Sequence, residues 1–149
     1  MEAGTPSWRL ELETWLKPFV EALGDRRRGR MCPFYVAGLI GPGDRKSIQP
    51  MAAREGAVGY DQLHHFVAAG TWDRTPVDAV LLKEADRLVG SGDAFLSIDD
   101  TALPKKGSHS VGVAPQYASS LGKTSNCQSL VSVTLASREV PVMVAIVFA

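Results

Sequence analysis

The sequence of 149 residues has little of what several protein classes require. Its two cysteines, Cys32 and Cys127, are too few for a disulfide scaffold or for a zinc site with four closely spaced ligands. We therefore expect two reduced thiols in a cytosolic protein. No apolar run approaches the roughly 18 residues of a membrane helix, and the acidic, amphipathic N-terminus is unlike a signal peptide. These absences predict a soluble, cytoplasmic protein with no membrane contact.

The sequence also lacks the glycine-rich motifs of nucleotide-binding enzymes and any net charge. It contains neither GxxxxGK[ST] nor GxGxxG, and "GKTS" at Gly122 is missing the upstream glycine of a P-loop. With 16 basic and 16 acidic residues, the total charge neither demands nor excludes nucleic acid. One dense basic cluster, "DRRRGR" from Asp25 to Arg30, fits either a solvated loop between helices or a DNA contact.

Hydrophobic periodicity predicts a helical N-terminal half. Five helices are expected, over 7–23, around 33–39, over 46–54 with Asp44 as the N-cap, within 59–73, and over 75–90. Their apolar spacing predicts a bundle that buries these side chains: Trp15, Phe19, Leu39, Leu63, Phe66, Val80 and Leu81.

From 89–93 onward the pattern is typical of strands. Three short apolar or alternating runs predict strands at 94–99, 127–137 and 142–149, the last two joined by a tight turn. We expect the first two to pair antiparallel and the third to lie beside the second. The long segment between the first two is predicted to be a loop. The sequence thus predicts an α+β fold with a helical domain over 1–91 and a strand-rich domain over 92–149.

Two adjacent carboxylates, Asp99 and Asp100, follow the first predicted strand. A strand end would hold a carboxylate rigidly, as a hard cation such as Mg²⁺ requires, although adjacent acids also mark turns. Neighbouring strand residues face opposite sides, so the pattern alone does not decide which acid would face a metal. Positive charge downstream fits phosphate binding and is carried by Lys105, Lys106, His109 and Lys123.

A long segment carries a family resemblance. "FLSIDDTALPKKGSHSVGVAPQYASSLGKTSNCQSLVSVTLAS" closely resembles the first catalytic segment of bacterial insertion-sequence transposases of the DDE superfamily, and "GLIGPGDRKSIQPMA" and "YDQLHHFVAAGTWD" resemble their helical region. The resemblance implies an RNase H-like core in which three carboxylates bind two Mg²⁺ or Mn²⁺ ions and act on transposon-end DNA. It makes Asp100, just before Thr101, the catalytic metal ligand of the first strand, and Asp99 its neighbour on the other face.

The other two acids that the resemblance requires have no match in this chain. After Asp100 the only acidic residue is Glu139, which lies in the predicted turn between the last two strands. We therefore expect a truncated transposase, with three strands of an incomplete RNase H-like core, that does not cleave alone. It would bind DNA through basic residues that include Arg26, Arg27, Arg28 and Arg30. The alternatives are a DNA-binding or dominant-negative regulator that joins an intact transposase or its own copies, and an unrelated small phosphate-binding α+β domain.

Overall fold

A computed structural model describes residues 7–68, 71–137 and 140–148 of the chain. Within these ranges five helices precede four strands and one short 3₁₀ turn. Their order is α1 Ser7–Ala22, α2 Arg26–Ile40, α3 Ile48–Glu55, α4 Tyr60–Ala68, α5 Thr75–Val89, β1 Phe95–Pro104, β2 Val113–Ala118, the turn Ser119–Leu121, β3 Lys123–Ala136 and β4 Val142–Phe148. No described residue before Phe95 belongs to a strand, so the predicted α+β class is confirmed. None of the described helices is long and apolar enough to cross a membrane.

The chain forms two compact units, Met1–Val80 and Leu81–Ala149. Helix α5 crosses this division, and the change from helix to strand falls between Val89 and Phe95; the predicted domain boundary after residue 91 stays a prediction. The two units are called the helical unit and the sheet unit below. Glu139, which the sequence analysis places in a turn, lies outside the described residues.

The helical unit has a closed apolar core. Met51 and Leu63 are fully buried, on α3 and α4, and Met31 of α2 joins them. Gly38 of α2 allows the close approach of α3, because a Cβ there would lie 2.7 Å from the Met51 sulfur. Around this centre pack Phe34, Tyr35, Ile48 and Phe66. The helices therefore bury one another's apolar faces, as their amphipathic spacing predicts.

Two of the seven side chains expected in the core are not buried. Phe19 and Leu63 are buried, and Phe66, Val80 and Leu81 are partly buried, but Trp15 and Leu39 are each 41% exposed. Helical spacing shows which residues share a face but not how wide a stripe the neighbouring helices cover. Trp15 still packs its ring on Phe19, with centroids 4.8 Å apart.

Helix α2 begins earlier than predicted. Asp25 accepts hydrogen bonds from the backbone N–H groups of Arg27 and Arg28, each at 2.9 Å, and so caps a helix that starts at Arg26. Pro33, at the start of the predicted range 33–39, lies inside this helix. The arginine cluster is therefore the first turns of a helix and not an interhelical loop.

The predicted N-cap of the next helix is also wrong. The residue before α3 is Ser47, whose side chain makes no capping hydrogen bond, and not Asp44.

Strand β3 is the centre of the sheet. It pairs antiparallel with β1 over Cys127–Ala136, with β2 over Lys123–Gln128 and with β4 over Leu130–Leu135. A strand can pair along only two edges, and β1 occupies one edge of β3 over a range that overlaps the ranges paired with β2 and β4. These two strands therefore both pair with the opposite edge of β3, one after the other along its length. The predicted pairing of the first strand with the second, and of the third beside the second, is confirmed.

The sheet has four strands rather than the three that the sequence predicts. The additional strand, β2, lies inside the segment read as a loop. Pro115, at its middle, weakens the strand pattern because proline has no N–H to donate to a neighbour. Among the described strands β2 pairs only with β3, and an edge strand tolerates this loss.

Candidate functional site

Asp100 lies in the middle of an edge strand and not at a strand end. Strand β1 continues beyond it to Pro104, in unbroken register with β3, and the partner of Asp100 is Val131. The expectation that the strand stops at the acids is therefore wrong, because pairing with β3 extends the strand past the end of its apolar run. Asp100 is nevertheless exposed.

The two acids face opposite sides of the sheet. Residues paired across antiparallel strands share a face, so Asp100 is on the side of Val131 and, beyond it on β4, Val147. Asp99 is on the side of Ser132, whose hydroxyl donates to the Asp99 backbone carbonyl at 3.4 Å. One carboxylate therefore stands on each face, and the two cannot bind one ion together from this strand.

The two carboxylates also differ in what they bind. An Asp99 side-chain oxygen accepts the backbone N–H of Asp100 at 3.0 Å, a local contact that ties the Asp99 carboxylate to the backbone. Adjacent charges on an edge strand, and a side chain bound to its backbone, discourage another strand from pairing with that edge. This is an alternative, structural role for the two acids. Asp100 is the acid whose side chain is better placed to meet a ligand outside the sheet.

The lysines lie together, but far from Asp100. The backbone N–H of Lys105 donates to the Asn126 carbonyl at 2.9 Å, which places Lys105 and Lys106 at the same end of the sheet as Lys123. At the rise of a strand, Lys105 is about 17 Å from Asp100 along β1. All three lysines are exposed. We call this group the lysine end.

Two amides of β3 hold the connection between β1 and β2. The Asn126 side chain donates to the carbonyls of Lys105 and Gly107, each at 3.0 Å, and the Gln128 side chain donates to the Val111 carbonyl at 2.6 Å. His109 lies exposed in the segment between these anchors. Sequence reasoning misses this role of Asn126, because contacts over about 20 residues leave no local signal.

The described residues do not make up a metal centre. Within them, no group of three or more His, Cys, Asp or Glu side chains could hold an ion. Asp99 and Asp100 are the only acids of the four strands, and they face apart. A pair of hard divalent ions needs several carboxylates around one point, and the donors described here do not fit that requirement.

The arginine cluster presents charge from the start of α2. Arg26, Arg27 and Arg30 are exposed, while Arg28 is partly buried with its guanidinium 5.6 Å from the centre of the Trp72 ring. The cap keeps Asp25 charged: the Arg28 backbone N–H, followed by that of Arg27, lowers the pKa of the Asp25 carboxyl. The helix N-terminus is therefore already occupied by an anion of its own chain.

The two cysteines take no part in these arrangements. Cys32 and Cys127 are both free and buried, one in each unit. Burial raises the pKa of the Cys32 thiol, which keeps it protonated and unreactive.

Comparison with known proteins gives one family and one relative. The family model for the DDE superfamily endonuclease matches residues 18–148. A probable transposase for insertion sequence element IS701 from Microchaete diplosiphon is 33% identical over 98 residues, which cover 66% of this chain and 25% of that relative. The chain thus spans about a quarter of the length of the curated relative that it matches. No solved structure gives a significant match.

Proposed function

Because the chain belongs to the DDE superfamily endonuclease family, we propose that it acts on DNA in the transposition of an insertion sequence, as a part that binds DNA without cleaving it alone. Family membership sets aside the reading as an unrelated phosphate-binding domain. The family implies divalent metal ions, Mg²⁺ or Mn²⁺, held by carboxylates of an RNase H-like core. In this chain Asp100 is our candidate for one such ligand.

The observation that carries the proposal is the isolation of Asp100. It is exposed on a face of the sheet where no other acid stands on any of the four strands. Cleavage assisted by two metal ions requires ligands on both sides of the phosphorus, and one carboxylate cannot supply them. The remaining carboxylates would have to be supplied from elsewhere.

Two basic surfaces would bring DNA to the protein. The lysine end and the exposed arginines of α2 carry guanidinium and ammonium groups that suit phosphate oxygens. Their attraction is electrostatic, so binding should weaken steeply as salt is added.

The cleavage test uses labelled transposon-end duplex with Mg²⁺ or Mn²⁺. We expect no metal-dependent nicking by the purified chain. Asp100→Ala and Asp99→Ala form a matched pair, since the residues are neighbours on opposite faces. Nicking that disappears in Asp100→Ala and persists in Asp99→Ala would overturn the inactivity and show that a second copy completes the site.

Exposed apolar residues on both faces of the sheet favour the second candidate, a regulator that joins an intact transposase. Ile98 is 72% exposed and Phe148 is 57% exposed, which leaves large apolar surface available to a partner. The chain should then inhibit an intact transposase of the same element when added in excess. Ile98→Ser removes the apolar side chain without changing the charge, so it should relieve the inhibition and leave DNA binding unchanged. Inhibition that depends only on DNA binding would contradict this role.

A further inference from the structure

The helical unit contains a cavity of about 540 Å³ between the start of α2 and α4. Its lining includes Arg27, Arg30, Met31, Asp61, Gln62 and Phe66. Its size is in the range of sites for small organic ligands, about 300–1,000 Å³. The DNA contacts proposed above use the arginines at its rim but not its apolar interior.

The buried part of the cavity is apolar and its exposed part is charged. Met31 is buried and Phe66 is partly buried, whereas Arg27, Arg30 and His65 are exposed. The Phe66 ring is held by an edge contact with Tyr35, with centroids 5.7 Å apart and an angle of 61°. The cavity therefore offers a fixed aromatic wall and a basic rim.

The basic rim is free to bind an anion through side chains. Asp25 already accepts the N–H groups at the start of α2, so a second anion there would find no unoccupied backbone donors of Arg27 and Arg28. Arg28 is packed against Trp72, which leaves Arg27 and Arg30 as the exposed guanidiniums of the cavity. Guanidinium groups match phosphate oxygens in geometry as well as in charge.

The other side of the cavity suits a base better than a phosphate. Asp61 of α4 would repel a phosphate, and it can accept a hydrogen bond from a base edge. The Gln62 side-chain oxygen accepts the Gly59 N–H at 3.0 Å, which leaves its NH₂ group as a donor. An aromatic side chain and a thioether beneath them provide a surface for a flat ring.

We propose that this cavity receives one unpaired nucleotide of DNA, with its base against Phe66 and Met31 and its phosphate at Arg27 and Arg30. The inference rests on the proposed DNA binding and deepens it by naming the unit that is bound. Unpaired nucleotides are the relevant form, because a base inside a duplex cannot reach a cavity without leaving the stack.

The first experiment separates a phosphate site from diffuse charge. Binding of the whole chain to a labelled single-stranded oligonucleotide is measured by fluorescence anisotropy for Arg27→Gln/Arg30→Gln and for Arg26→Gln. Arg26 is the matched control, since it belongs to the same cluster and does not line the cavity. We expect at least a tenfold loss for the double variant and about a twofold loss for the control.

If each arginine removed lowers the affinity for the oligonucleotide by the same factor, the proposed nucleotide site in the cavity is wrong, but the proposed DNA binding still holds. Absence of binding by the unaltered chain to any DNA would overturn both the cavity and the proposed function. The same chain should bind a fully paired duplex less tightly than a duplex with one unpaired nucleotide. Equal binding of the two duplexes also contradicts the inference.

The second experiment asks whether the base is recognised. An oligonucleotide of abasic sugar-phosphate units keeps the charge and removes the stacking surface, and we expect it to bind about tenfold more weakly. Phe66→Leu should shrink that preference to about twofold, while Tyr117→Leu, an exposed aromatic of β2, should leave it unchanged. Circular dichroism checks that both variants are folded. Equal affinity for the two oligonucleotides in the unaltered chain would refute the base-binding role.

Discussion

The helical unit and the sheet unit differ in how far they bury their large apolar side chains. On the helices, Met51 and Leu63 are fully enclosed by neighbouring helices of the same unit. On the sheet, Phe95 is 59% exposed and Ile98 is 72% exposed, although both lie in regularly paired strands. Helices can close a core by packing on one another, whereas a sheet needs a further layer on its apolar face. The strands bury mainly small side chains such as Ala118 and Cys127, and they leave large apolar ones exposed.

The difference can be measured because the two units carry different reporters. All three tryptophans, Trp8, Trp15 and Trp72, belong to the helical unit, so their fluorescence follows unfolding of that unit. Far-UV circular dichroism reports on both.

The largest effect is expected from the helical core. Leu63→Ala should lower the free energy of unfolding of the helical unit by roughly 2–5 kcal/mol, because it leaves a cavity beside Met51. Leu10→Ala, at a site that is 55% exposed on α1, should change it by less than about 0.5 kcal/mol. Ile98→Ala in the sheet should cost less than about 1 kcal/mol. Urea titrations followed by both signals give these values, and a cost for Ile98→Ala like that of Leu63→Ala would break the comparison.

The next effect concerns an ion pair inside the helical unit. Arg9 donates two hydrogen bonds of 2.7 Å to the Glu55 carboxylate, whose side chain is only 5% exposed. Arg9→Met leaves that carboxylate without its partner and should cost roughly 2 kcal/mol. Arg74→Met removes the exposed pair with Asp78 and should cost no more than about 0.5 kcal/mol.

The same urea titration provides the check on the Arg9 prediction. Arg9→Met/Glu55→Leu should recover part of the loss, because it removes the unpaired charge as well. Equal costs for Arg9→Met and Arg74→Met would mean that the Glu55 carboxylate remains well solvated.

The sequence predicts best those secondary-structure elements whose ends are marked by nearby residues. Helix α5 was expected over 75–90 and runs Thr75–Val89, because a proline in its first turn and Gly90 after its end mark it locally. The end of β1 was missed, since "DDT" interrupts the apolar run while pairing with β3 carries the strand to Pro104. Tertiary pairing overrides strand propensity in this way.

The candidate site was predictable only in its parts. The family resemblance points to Asp100, and the charge pattern points to the basic residues. The distance between Asp100 and the lysine end depends on the length of β1, which local patterns underestimate. The anchoring of the segment after β1 by Asn126 and Gln128 joins residues far apart in sequence. The cavity between α2 and α4 depends on how two helices pack, which periodicity does not specify.

A smaller effect is expected from the anchors of the sheet unit. Asn126→Ala removes two hydrogen bonds that hold the segment from Lys105 to Gly107, at a cost of about 1 kcal/mol for each. The segment should then open more often, and trypsin should cut after Lys105 or Lys106 several times faster than in the unaltered chain. Thr124→Ala, an exposed position on the same strand, is the control.

Mass spectrometry of a timed digest identifies those cleavage sites. Cleavage there at an unchanged rate would show that backbone pairing with β3 is sufficient to hold the segment. The sheet would then depend less on side chains than the helical unit does.

The smallest effect is a pH dependence that belongs to the helical unit. Asp25 accepts the Arg28 and Arg27 N–H groups at the start of α2, and these bonds lower its pKa. The Thr75 side chain, followed by its backbone N–H at 2.9 Å, lowers the pKa of Asp73 at the start of α5. A carboxyl whose pKa is lower in the folded chain stabilises it above the unfolded pKa, about 4, and this contribution is lost as the pH falls through the folded value.

The urea midpoint followed by tryptophan fluorescence should therefore drop as the pH is lowered from about 5 to about 3. Asp25→Asn/Asp73→Asn should show a shallower drop, because an asparagine oxygen still accepts the capping N–H groups but does not titrate. Asp44→Asn, in the loop between α2 and α3, is the control and should follow the unaltered chain. If the urea midpoint of the double variant falls as much as that of the unaltered chain, other carboxylates cause the acid sensitivity. The two capping carboxylates would then not distinguish the helical unit from the sheet unit.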